Sequence, residues 1–456
     1  MTTTDERLAA WRADLLPAVR AEHRHLQELE TALRRELASL EPSGLPDDEA
    51  WLLAVKRLGD RTAPSTAAAS ERTEQLSRQL ARAATGPWHG APTAHAAVAA
   101  DHRWRDALVL AVAAAVTVQL ARLVSGFPDG GGTWLVRNAS LLVLPFLAAY
   151  LVRSAHPSRR QVLLIAGAFV AAGLVSNLFP FVEAGATEVL AIAHLPVALW
   201  AVVGYAWLGA DLRGSDGRMA LVRSSGSWFV TYVLFALGGG VLVGLTLALL
   251  APTGLLDAEQ LVPWVLPSGA AGAVVIAAWL VETRPQVVGA VAPMLAQVFT
   301  PLFAVMLVGV TAVYAATGLA GAFDRALLAT FDALLVVVVG LVLYGLAARD
   351  VARPAGWSDR ALLVTVLAAL VLDLLVLGAM AARIGELGLT PNRVAAIGLN
   401  LVLLGNLVGT AWHGARFVSG RGELHRLLRW QTAYLPVFPA WAAVVVVLLP
   451  PLFRFA

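Results

Sequence analysis

The chain has no cysteine, one lysine (Lys56) and little charge, with 14% of its 456 residues Asp, Glu, Lys or Arg. The absence of thiols excludes disulfides, thiolate metal sites and cysteine nucleophiles. No Gly-rich loop precedes the one lysine, so ATP cannot be cradled by a P-loop. There is no His-Glu-x-x-His, and His23, His25, His89, His95 and His102 lack the partners and spacing of a zinc site. Neither a metal nor a cofactor is expected. Soluble domains usually carry about 25% charged residues, so the low value points away from an ordinary soluble protein. The first 20 residues hold Asp5, Glu6, Arg7, Arg12 and Asp14 around no apolar core, and no cleavable signal peptide is expected.

What is present is hydrophobicity, at 58% of the residues, and it is unevenly placed. Residues 1–105 hold 14 of the 34 basic and 15 of the 31 acidic residues. This division predicts a cytoplasmic helical domain over 1–85, a Pro/Gly hinge over 86–105 and a transmembrane domain over 106–456. The fold class expected is all-α, a polytopic helical membrane bundle behind a small helical N-terminal domain. Its net charge of +3 arises from arginines between apolar runs, so nucleic acid is not an expected partner, whereas membrane lipid is.

Eleven apolar runs have the length of membrane spans: 106–127, 134–152, 160–179, 187–208, 227–250, 263–282, 289–317, 326–347, 359–382, 391–411 and 432–453. Pro145, Pro293 and Pro301 would kink or break two of them. Alternate loops carry 14 arginines, from Arg153 to Arg429, and the opposite loops only Arg325, Arg383 and Arg393 among several acids. Positive loops stay inside. The expected location is therefore the inner (plasma) membrane, with the N-terminus cytoplasmic and the C-terminus external.

The N-terminal segment reads as helices over 5–41, 47–59 and 71–84, with Leu26, Leu29, Leu33, Leu37 and Leu40 spaced by three and four. Its "HLQELETALRRELASL" and "GLPDDEAWLLAVKRLGD" resemble the permease prefix domain, over about residues 15–82. That resemblance implies a regulatory module preceding a membrane domain, and with it a possible cytoplasmic protein partner. A second resemblance lies in "RIGELGLTPNR", where Arg383, Ile384, Gly388, Leu389, Thr390 and Arg393 look like an element of the bacterial membrane family called domain of unknown function 4153. It implies architecture over roughly 130–450 and no activity.

The same stretch reads physically as a turn and restart, with Thr390 as N-cap and Pro391 at the first helical position. Arg383, Glu386, Asn392 and Arg393 then form an external turn. Either the arginines snorkel to headgroups or the turn contacts a ligand at the mouth of a cavity.

Ionisable groups inside spans are costly and face the bundle interior or a water-filled cavity. Here they are Arg122, Arg137, His194, Asp332 and Asp373, with Asn400 at similar depth. At about 1.5 Å per residue all six fall in the outer half of a ~30 Å core. They are expected to line an outward-facing vestibule, with Asp332 or Asp373 paired to Arg122 or Arg137; unrelated ion pairs and headgroup contacts are the alternative. The inner half offers only neutral groups such as Gln297, Thr300, Asn406 and Thr410. Gly238, Gly239, Gly240 and Gly244 read as a close-packing face, and 416–430 as a basic amphipathic helix at the inner surface.

Enzyme readings fail on context. Phe331-Asp332 and Leu372-Asp373 lack the surroundings of membrane aspartyl proteases, and "SSGSW" (224–228) has no histidine to activate a serine. No enzyme activity is expected. The function expected is a permease for an unidentified small solute or ion, modulated by the N-terminal domain. The alternative is a sensor or scaffold that transports nothing and relays an envelope signal to a cytoplasmic partner.

Overall fold

A computed structural model describes residues 94–126, 132–155, 157–250, 258–284, 291–317, 325–349 and 353–456. The chain divides into two compact units, Met1–Val98 and Ala99–Ala456. Nearly all of the first unit, including the helices expected over 5–41, 47–59 and 71–84, lies outside the described residues. The second unit is a bundle of α-helices, and no strand occurs among the described residues.

Its helices are α1 (Ala94–Val124), α2 (Gly132–Ala155), α3 (Arg159–Leu178), α4 (Ala186–Leu208), α5 (Ser215–Leu250), α6 (Ala258–Thr283) and α7 (Val291–Thr317). They continue with α8 (Arg325–Ala347), α9 (Trp357–Leu387), α10 (Pro391–Val418), α11 (Leu424–Tyr434), α12 (Val437–Val447) and the short α13 (Leu449–Leu452). Among the described residues ten stretches are long and apolar enough to cross a membrane, and α7 adds a shorter apolar run, Val298–Tyr314. The expected runs correspond to these elements in order, with three differences. Helix α1 starts at Ala94, inside the segment expected as a hinge. Pro145 and Pro301 sit within α2 and α7, each assigned as one continuous helix rather than two pieces. The last span begins at Leu424 and comprises α11 and α12, separated at Leu435 and Pro436.

The outside of the bundle is greasy. Val124, Leu178, Leu237, Leu242 and Val305 are among many large apolar side chains left exposed. A water-soluble surface would not tolerate a belt of that extent; a lipid-facing one requires it. The chain is an integral, multi-pass membrane protein.

Two large cores lie among the described residues. Leu147, Leu151, Leu195, Leu199, Val203 and Val275 join α2, α4 and α6. Leu335, Val338, Val366, Leu372, Leu403 and Leu407 join α8, α9 and α10. In the second core the buried stripes recur every three or four residues, so a polar residue on a stripe is carried into the interior. Asp332 follows Phe331 on α8, Asp373 follows Leu372 on α9, and Asn400 precedes Leu403 by three on α10.

Caps place the helix ends. Ser158 and Gln161 form a reciprocal capping box at α3, with Gln161 N–H donating to Ser158 Oγ at 3.3 Å and Ser158 N–H to Gln161 Oε1 at 2.8 Å. Gly388 ends α9 at φ +75°, a conformation that costs a glycine nothing. Thr390 Oγ1 then accepts from Arg393 N–H at 3.4 Å, with Pro391 opening α10.

The triglycine face is a correction. A Cβ at Gly238, Gly239, Gly240 or Gly244 would meet nothing within 4 Å, so within the described residues these glycines pack closely against no helix. The 416–430 segment differs as well. It comprises the end of α10, a turn and most of α11, whose Leu424, Leu427 and Gln431 are buried, so α11 begins a span and packs against α10.

Candidate functional site

Three helices of the second core carry Asp332, Asp373 and Asn400, and two of the residues meet. Asn400 Nδ2 donates to Asp332 Oδ1 at 2.7 Å and to Ala396 O at 2.8 Å, and lies 3.8 Å from Met380 Sδ. That orientation is the one a carboxylate demands, since an amide donates only through nitrogen. It leaves Asn400 Oδ1 without a hydrogen-bond partner. Asp373 is fully buried, and neither of its carboxylate oxygens has a partner. Around these residues lie Phe331, Leu335, Leu372, Val376 and Leu403. Asp373 and Asn400 are buried and Asp332 half-buried among these apolar side chains, with oxygen acceptors in excess of donors.

The other residues expected in a vestibule are held elsewhere. Arg137 Nη1 lies 2.7 Å from Glu188 Oε1, and its guanidinium sits 5.6 Å from the Phe181 ring centre. Arg122 stacks on Trp264 at 4.6 Å. Neither arginine pairs with Asp332 or Asp373, so the expected ion pair is replaced by Arg137–Glu188. His194 Nδ1 is 2.8 Å from the carbonyl of Leu190, one turn back on α4, and therefore donates to it. The six residues do not form a single group of contacts. Asp332 and Asn400 are in contact and Asp373 lies on the neighbouring α9, while Arg122, Arg137 and His194 make local contacts on α1, α2 and α4.

The turn between α9 and α10 is held from within. Arg393 Nη1 donates to Leu387 O at 2.9 Å and to Gly388 O at 2.6 Å, covering carbonyls that the end of α9 leaves open. Arg393 thus folds back onto the backbone rather than reaching outward. Arg383 and Asn392 are half-buried and Glu386 exposed beside it.

Several polar groups were not evident as participants from sequence. Glu188 carries the Arg137 pair and also accepts from Ala184 N–H at 2.9 Å. Glu282 is buried at the end of α6, with Ser154 Oγ donating to it at 3.3 Å. Both occupy the boundary between an apolar run and a loop, where an acid reads as a loop charge. Gln119 Nε2 donates to Trp264 O at 2.8 Å and Pro263 O at 3.3 Å. Pro267 has no N–H for Pro263 O, so Gln119 supplies the missing donor. Ser225, from "SSGSW", accepts from Trp200 Nε1 at 2.9 Å, a packing role.

Further along α10 a second polar group is complete. Asn406 Nδ2 donates to Gln431 Oε1 at 2.9 Å, Gln431 Nε2 donates to Thr410 Oγ1, and Thr410 Oγ1 donates to Asn406 O at 2.6 Å. Thr410 also lines a cavity of about 10 Å³, the scale of one water, together with Asp359, Leu363 and Gly414. Asp359 borders a larger cleft of about 620 Å³ between α7, the end of α8 and the start of α9. Arg349 closes on Asp359 through Nε at 2.6 Å and Nη2 at 3.0 Å. Asn400, Asn406 and Thr410 thus follow one another along α10, and Thr410 shares the small cavity with Asp359, which borders the cleft.

Among the described residues no three His, Cys, Asp or Glu side chains are grouped to hold a metal. No protein-family model, curated protein or solved structure matches the chain.

Proposed function

We propose that this integral membrane protein is a permease whose working site is carried by Asp332, Asp373 and Asn400. It would admit a small solute or ion, with its N-terminal helical segment as a cytoplasmic regulatory module. In this reading the arginine-rich loops face the cytoplasm, which places the N-terminus inside, the C-terminus outside and the 620 Å³ cleft at the inner surface. One observation carries the proposal: Asp373 is fully buried with both oxygens unpaired. A buried carboxyl group with no hydrogen-bond partner is costly to a fold, which supports a role for it beyond packing. The polar series along α10 supplies stepping points toward the cleft.

The test is flux through the purified full-length protein in liposomes, using ion-sensitive dyes and a panel of small labelled solutes. The permease reading expects flux with the wild type and its loss in Asp373→Asn, with both proteins melting cooperatively. Wild-type liposomes as tight as empty ones would overturn it.

A second reading, a sensor or scaffold that moves nothing, draws support from the Arg349–Asp359 bridge and the complete Asn406–Gln431–Thr410 network. The bridge secures the start of α9 and the network joins α10 to α11, both with satisfied contacts. Tight liposomes would favour it.

A further inference from the structure

The cleft beside Arg349 lies at the edge of the membrane, whichever way the chain is oriented. It sits where one span ends at Ala347 on α8 and another starts at Trp357 on α9, and the apolar run of α7 starts nearby at Val298. Span ends lie at the headgroup level of a bilayer. Trp357 lines the cleft and is 74% exposed, as suits an indole anchored among headgroups. The volume of about 620 Å³ falls in the range of small-molecule sites. Its wall is divided by chemistry. Arg349, Arg353 and Ser358 are charged or polar, while Pro301, Leu346 and Leu362 are apolar. Among the described lining residues two arginines stand against one acid, Asp359. That carboxylate is already turned to Arg349 and to the N–H of Gly356, which leaves the wall with an excess of positive charge. Arg353 is exposed at the rim. A soluble anion would use the arginines but not the apolar wall, and an acyl chain alone would use the wall but not the arginines.

We propose that this cleft is a binding site for an anionic phospholipid of the surrounding bilayer. The phosphate lies on Arg353 and Ser358, and the first acyl carbons run along Pro301, Leu346 and Leu362. A guanidinium matches phosphate in both charge and hydrogen-bond geometry, and basic pockets between membrane helices take such headgroups. Arg349 shapes the site through Asp359, and the bridge between them holds the start of α9 in place. The inference stands on the membrane placement of the chain and not on transport, so tight liposomes would leave it standing.

The test is native mass spectrometry of the purified full-length protein in detergent, with phosphatidylglycerol and phosphatidylcholine supplied in equal amounts. The wild type is expected to retain phosphatidylglycerol about fivefold or more over phosphatidylcholine, the ratio one arginine at headgroup level provides. Arg353→Gln should erase most of that preference. Arg159→Gln removes an exposed arginine from another loop and should keep it. Ser358→Trp leaves the arginines in place but fills the cleft, and should lower phosphatidylglycerol retention by a similar factor. A wild type without preference overturns the inference, as do equal losses in Arg353→Gln and Arg159→Gln, which would mean a diffuse attraction of charge. Full retention in Ser358→Trp overturns it as well, by placing the lipid elsewhere. Displacement of the lipid by millimolar inorganic phosphate would overturn it in favour of a soluble anion.

Discussion

Arg137 and Glu188 bridge α2 and α4 at 2.7 Å, and the glutamate side chain is only 2% exposed. A buried pair of this kind is worth little against an apolar replacement of both partners, but removing one strands the other. Arg137→Met alone is expected to destabilise the protein by about 3–5 kcal/mol. The double variant Arg137→Met, Glu188→Met should recover most of that loss. Thermal melting of the two purified variants checks it; a double variant no more stable than Arg137→Met would overturn the expectation.

Glycines on two helices should respond to alanine with opposite sign. A Cβ at Gly409 would overlap the Trp430 ring, which packs against bare backbone there and donates from Nε1 to Asn406 O at 3.2 Å. Gly409→Ala should displace the indole and cost about 1–3 kcal/mol, in line with overpacked cores. Gly244 has open space around its Cβ position, so Gly244→Ala should gain about 0.5–1 kcal/mol from helix propensity. Melting temperatures moving in opposite directions would bear this out, and a loss at Gly244 would mean that the triglycine face has a partner.

The order and placement of the helices were legible because apolar length reports a span whatever the substrate, and Thr390-Pro391 announces a helix start by its own chemistry. Asp332, Asp373 and Asn400 stood out for the same reason: a polar residue in an apolar run is conspicuous. The contact of Asp332 with Asn400 was not legible. It depends on which faces of α8, α9 and α10 meet, and three spans of nearly uniform Leu, Val and Ala give no reason to prefer one rotation. The acid that pairs with Arg137 is illegible in the sequence for a related reason. Glu188 sits two residues inside α4, and nothing local distinguishes it from a solvated loop acid such as Glu183. The continuity of α2 and α7 through Pro145 and Pro301 was likewise invisible, since neighbours decide whether a proline ends a helix in a membrane.

Arg349 holds Asp359 with two nitrogens, and its Nη2 also donates to Arg353 O and Pro354 O at 3.1 Å each. Asp359 Oδ2 in turn accepts from Gly356 N–H at 2.8 Å, fixing the start of α9. Lysine keeps the charge but lacks the planar fork. Arg349→Lys is therefore expected to destabilise by about 1–3 kcal/mol and to loosen the turn. Faster amide exchange over residues 353–359, with the rest of α9 unchanged, is the measurement; unchanged exchange there would show that the fork is dispensable.

Asn406, Thr410 and Gln431 connect α10 to α11 where the last span begins. Their hydrogen bonds run in a closed circuit, so removing one member leaves the others unsatisfied in an apolar interior. Gln431→Leu leaves the Asn406 amide without its acceptor and should cost about 1–3 kcal/mol. Asn406→Leu with Gln431→Leu removes both ends of that bond and should cost less than the single change at Gln431. The pair also separates the two functional readings. A polar series that carries an ion needs these groups, so the double variant should block flux in liposomes even though it melts close to the wild type. A double variant that conducts normally would show the circuit to be a clasp between helices, and the route from Asp373 to the cleft would have to pass elsewhere.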